Sequence, residues 1–87
     1  MKTPKASKKE YRWIVTAVDT GESCDGKARV LKCFKTEKAA RNYIRRDMEG
    51  YVADAEGMDL ETDYGRMSSR TKDCNYGCEW NCERIQV

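Results

Sequence analysis

One stretch of helical periodicity, Thr36 to Gly57, lies between two pairs of segments in which apolar and polar residues alternate, which restricts the chain to a small set of mixed folds. Within it Ala40, Tyr43, Ile44, Met48, Tyr51, Val52 and Ala55 recur at steps of three and four, giving one apolar stripe. Lys38, Arg41, Arg45 and Glu49 fall outside that stripe. Thr36 stands where an N-cap belongs, its hydroxyl able to accept from an orphan backbone N–H, and good helix formers follow it. Gly57 supplies a C′ stop. Gly50, inside the span, costs up to about 1 kcal/mol relative to alanine and bears on whether the helix runs straight through.

Before the helix, Tyr11, Trp13, Val15 and Ala17 alternate with Arg12, Ile14, Thr16 and Val18, a first strand with two fairly apolar faces. Turn formers crowd residues 19–27, with glycines at 21 and 26. A second strand follows, with Ala28, Val30, Lys32 and Phe34 on one side and Arg29, Leu31, Cys33 and Lys35 on the other. After the helix, residues 58–65 read as an acidic turn and Arg66 to Lys72 as a weak, polar strand suited to an edge. The last strand runs from Cys78, after a hairpin loop with Asn75 and Gly77. Its apolar phase slips between Cys82 and Ile85, which predicts a β-bulge near Glu83 and Arg84.

The spacing therefore predicts an α+β domain over residues 10–87: a four-stranded antiparallel sheet in ββαββ order with one helix packed on one face. Residues 1–9 hold the only proline and no large aliphatic or aromatic residue after Met1, and predict a disordered basic tail. At 87 residues, 39% hydrophobic and 37% charged, the chain can close one thin core and no second one. No segment approaches the roughly 18 consecutive apolar residues of a membrane span, and no apolar run follows the first lysines as a secretory signal requires. Five cysteines, an odd number, fit a reducing cytoplasm better than a secreted disulfide framework.

The sequence contains no histidine, which removes the usual general base, the common nucleophile pairs and the commonest nitrogen ligand for metals. The expectation is no enzyme, no catalytic residues and no cofactor. Cys74, Cys78 and Cys82 are spaced by fours, yet along a strand Cys78 and Cys82 stand roughly 13 Å apart, too far to share a zinc ion. Cys74 and Cys78 could meet across the turn. No metal site is expected, and the strand cysteines read as small, half-buried packing residues.

Charge is lopsided: residues 1–46 hold 13 Lys and Arg against 5 Asp and Glu, whereas residues 47–87 hold 4 against 10. Lys5, Lys8 and Lys9 in the tail with Lys38, Arg41 and Arg45 on the helix are candidate nucleic-acid contacts, since clustered cations engage phosphates. Between Asp47 and Tyr64 seven carboxylates occur with no Lys or Arg, an acidic strip that could dock a basic partner. One helix cannot cover both apolar faces of the first strand. Arg12, Ile14 and Thr16, with Asp54, Asp59 and Glu61, are accordingly the candidate protein interface.

The run Phe34 to Ile44, FKTEKAARNYI, and the closing EWNCERIQV, Glu79 to Val87, resemble small uncharacterised ββαββ proteins of bacteria and of their phages or conjugative elements. Those end in a similar tryptophan-containing strand; Cys82 stands where isoleucine is common among them. The resemblance implies the fold and a bacterial setting, and brings no catalytic or binding residue with it.

The reading that accounts for most of these features is a non-enzymatic binding or accessory domain acting through protein–protein contacts, in its simplest version a homodimer. The alternative is a nucleic-acid-binding protein using the basic tail and helix. No membrane and no small-molecule substrate are expected.

Overall fold

The computed structural model describes residues 10–21 and 26–87. The expected tail, residues 1–9 with Lys5, Lys8 and Lys9, and the loop residues 22–25 with Cys24 lie outside them. The elements are β1 (Tyr11–Asp19), β2 (Ala28–Phe34), α1 (Glu37–Asp54), β3 (Leu60–Asp63), β4 (Ser68–Thr71) and β5 (Gly77–Gln86). They form one antiparallel sheet in the order β2-β1-β5-β4-β3, with α1 packed on one face.

The α+β class and single packed helix agree with the sequence; the strand count does not. The sheet has five strands rather than four, because part of the acidic turn at residues 58–65 is a strand. β3 has four residues, Leu-Glu-Thr-Asp, and only Leu60 is strongly apolar, too little alternation to register as a strand alone. It exists because β4 lies alongside, pairing Leu60 with Thr71, Glu61 with Arg70, Thr62 with Ser69 and Asp63 with Ser68.

Two further corrections concern register. β1 and β5, the first and last strands in sequence, pair without interruption from Tyr11↔Gln86 to Asp19↔Cys78, so the expected bulge near Glu83 and Arg84 is absent. Ile85 simply faces away from the helix. The irregularity lies in β2: Val15 pairs with Lys32 and Thr16 with Val30, leaving Leu31 as the extra residue of a bulge. That shift splits the two expected rows of β2. Arg29, Lys32 and Phe34 share the helix-side face with Trp13, Val15 and Ala17, whereas Ala28, Val30 and Cys33 turn to the other face.

The core lies between α1 and the sheet and comprises Val15, Ala17, Ala40, Ile44, Met48, Cys78 and Trp80, with Trp13, Leu31, Phe34, Tyr43, Tyr51, Met67 and Cys82 packed around it. Burying a side chain such as Ile44 or Met48 contributes roughly 1.5–3 kcal/mol. Ala40, Ile44 and Met48 are spaced by four, so one row of the helix makes the deepest contacts; Val52, expected in the stripe, is exposed because it faces off this row. The Trp80 indole N–H donates to Asp47 Oδ2 at 2.8 Å, which satisfies a buried donor and ties α1 to β5.

The helix starts as the sequence requires: Thr36 is extended and its Oγ1 accepts from the Ala39 N–H at 3.1 Å. It runs unbroken through Gly50 and ends at Asp54, where the Ala55 N–H is shared between the carbonyls of Tyr51 and Val52. Gly57, at φ +88°, then reverses the chain, with the Met58 N–H donating to the Ala55 carbonyl.

Candidate functional site

The register assigns every strand residue to one of two faces. Opposite α1, the β2–β1 half of the sheet presents Cys33 beside Ile14, Val30 beside Thr16 and Ala28 beside Val18. Ile85, cross-strand from Arg12, extends this block onto β5. Val30 is 64% exposed, and among the described residues no element lies over this face. The β5–β4–β3 half is charged: Glu79, Ser68 and Asp63 form one cross-strand row, and Arg70 stands opposite Glu61. These residues with Thr62, Tyr64 and Arg66 line a polar cleft of about 640 Å³.

Both sheet edges are poorly suited to pairing with another strand. β3 is four residues long and carries Glu61 and Asp63, while the β2 edge is broken by its bulge and carries Arg29 and Lys32. Lys32 also stays engaged with its own domain, its Nζ lying 5.6 Å from the Phe34 ring centre and 5.9 Å from that of Tyr43. The broad open surface is therefore a face, not an edge.

Of the candidate interface residues, the structure brings Arg12, Ile14, Thr16 and Glu61 onto this one face. Asp54 ends α1, on the other side of the sheet, and Asp59 lies in the connection to β3. The acidic strip is not continuous: Asp47 holds Trp80, Glu49 faces Arg45 at 3.9 Å and Asp63 faces Arg66 at 3.9 Å. Val30 and Ile85 escape the sequence reading because the bulge that reorients Val30 is set by pairing, and the false phase slip hid Ile85. Lys32 on an otherwise apolar row was the available hint.

Candidate nucleic-acid contacts Lys38, Arg41 and Arg45 lie along one exposed flank of α1. Arg41 Nε donates to Glu37 Oε2 at 2.9 Å, one turn earlier. Arg41, Asn42 and Arg45 line a groove of about 190 Å³ between α1 and the β3–β4 turn, together with Ile44, Met48, Tyr64 and Met67. The Arg45 guanidinium sits 5.1 Å from the Tyr64 ring centre. Tyr64, placed in an acidic turn by the sequence, is the groove residue missed; an aromatic beside a turn glycine was its only signal.

The cysteines divide by environment. Cys78 is buried beneath α1, where desolvation and then the Asp19 carboxylate push its thiol up to about 11; burial likewise raises Cys82. Both stay protonated and poorly nucleophilic at neutral pH. Cys33 and Cys74 are exposed, so Cys33 departs from the half-buried role expected of it. Among the described residues no three Cys, Asp or Glu side chains are placed to hold a metal ion. The Tyr51 hydroxyl is buried without a partner among the described residues, its ring stacked on Tyr76 and edge-on to Trp80, and burial raises its pKa. No described helix is long and apolar enough to cross a membrane. Compared with protein-family models, with curated proteins and with solved structures, the chain finds no match.

Proposed function

We propose that the chain is a non-enzymatic binding domain that acts through protein–protein contacts made by the open face of its sheet, in the simplest form between two copies. The observation that carries this reading is the block Ile14, Val18, Ala28, Val30, Cys33 and Ile85, solvent-facing on the side of the sheet that α1 does not cover. An apolar block flanked by charged groups has the anatomy of an interface core and rim. Three strands about 4.8 Å apart and seven to ten residues long offer on the order of 400 Å² per copy, about half of a standard interface, so the association is weak and concentration-dependent. Four free thiols among the described residues and a sequence without histidine are in keeping with a binding role in a reducing cytoplasm.

Sedimentation velocity over a concentration series up to hundreds of micromolar tests this reading. A reversible shift from monomer to dimer, abolished by Val30→Glu with the far-UV circular dichroism unchanged, is the expected outcome. A monomer throughout the series, or a dimer indifferent to Val30→Glu and Ile14→Glu, removes self-association through this face.

A further inference from the structure

We propose that the groove between α1 and the β3–β4 turn binds single-stranded nucleic acid, with backbone phosphates on Arg41 and Arg45 and a base stacked on Tyr64. The groove lies on the helix side of the sheet, so it is independent of the open-face reading. Arg41 and Arg45 are one helical turn apart, about 6 Å along the axis, a step comparable with that between successive phosphates of an unstacked strand. Lys38, exposed on the same flank, continues the cationic row toward the N-terminus of α1.

The local carboxylates orient these arginines more than they neutralise them. The Arg45–Glu49 contact is 3.9 Å between groups more than half exposed, and Arg41–Glu37 is a solvent-exposed pair of the kind that contributes little. A phosphate, with its oxygens matched to the guanidinium fork, competes with either.

Tyr64 selects the class of polyanion. Tyr64 is 41% exposed, it lines the groove together with Asn42, and Arg45 holds the ring by cation–π contact. The turn that carries it is pinned at both ends: the Arg66 N–H donates to Asp63 Oδ1 at 3.1 Å, and the Met67 carbonyl accepts from the Trp80 N–H at 2.8 Å. A fixed, exposed ring beside Arg45 suits an unstacked base, which has a π-face whatever its sequence. An acidic peptide would use the cations and leave the ring idle. A duplex keeps its bases stacked and offers the ring nothing.

Fluorescence anisotropy of a labelled oligo(dT) 20-mer against the full chain tests the inference. Saturable binding at low salt, weakened as salt rises, is expected; polyglutamate at equal charge should compete poorly, and a duplex of the same length should bind more weakly. Tyr64→Leu should weaken binding about tenfold while Tyr64→Phe retains it. Arg45→Gln should lower the slope of log affinity against log salt by about 0.7. No binding at low salt overturns the proposal. So does binding unaffected by Tyr64→Leu and fully competed by polyglutamate, which would leave a generic polyanion surface or an acidic-peptide site.

Discussion

Ile14 and Val15 are neighbours on the same strand with similar side chains, yet Val15 is fully buried under α1 and Ile14 faces the uncovered side of the sheet. The same contrast holds in the middle of β1 and the first half of β5: Ala17, Cys78 and Trp80 are buried, whereas Thr16, Asn81 and Glu79 share the other face. The covered face is closed by specific fits, such as the indole N–H of Trp80 on Asp47 and the tyrosine and tryptophan rings meeting beneath α1. The open face has β-branched residues with no such partners. What separates the two faces is coverage, since both carry large apolar residues along β1. Stability should therefore reside on one face and association on the other.

The largest test of that division is Trp80→Ala, which removes the side chain at the centre of the covered face and leaves Asp47 unengaged. It should cost about 3–5 kcal/mol in urea unfolding. Gly77→Ala comes next: an added Cβ would stand 2.6 Å from Thr20 Oγ1 and 2.9 Å from Arg70 Cβ, an overpacking expected to cost about 1–3 kcal/mol by the same measurement.

Alkaline pH offers a subtler probe of the covered face. Below the ordinary thiol value near 9 both folded and unfolded states keep the Cys78 proton; above it the unfolded state releases it, and the folded state holds it until about 11. The unfolded state then binds fewer protons, so stability falls as pH rises through that window. The buried Tyr51 phenol extends the loss to higher pH, and Cys78→Ala should flatten the part that begins near 9. An unchanged slope in the variant would place the alkaline loss elsewhere.

Cys74 lies on neither face but in the β4–β5 turn, at φ +62°. The Asp73 carboxylate accepts there from Thr71 Oγ1 and the Asn75 N–H, contacts that lower its pKa. Cys74→Gly should keep this turn, relieve the left-handed penalty and raise stability by up to about 1 kcal/mol in thermal melts. The smallest expected effect is Val30→Ser on the open face, within about 0.5 kcal/mol of the parent in unfolding. If Val30→Ser destabilises as strongly as a core substitution, the two faces are not different in kind.

Much of the fold was legible because it rests on short-range signals. Thr36 followed by strong helix formers marks the start of α1, and the Ala40, Ile44, Met48 row marks its buried side. The alternation of Tyr11 to Val18 and the Asn75–Gly77 turn signal place β1 and the start of β5. β3 was not legible, because Leu60 and Thr62 acquire a strand's environment only through Ser69 and Thr71. The candidate sites were legible in part. Ile14 and Thr16 follow from strand phase alone, but Val30 joins them only through the bulge opposite Val15. Arg41 and Arg45 follow from helical spacing, but Tyr64 reaches them through a hairpin whose first strand the sequence conceals.

The sequence by itself determined that one capped helix and long alternating strands would share a single small core, and that β1 would carry two apolar faces, of which one helix can cover only one. Those properties depend on residues within about one helical turn or one strand of each other, where periodicity and capping act. Only the tertiary structure decided which face α1 covers, where the β2 bulge falls, that a fifth strand forms, and that Tyr64 meets Arg45. Each depends on pairing between residues far apart in the chain, and an alternating strand is equally ready to turn either side inward until a partner covers one of them.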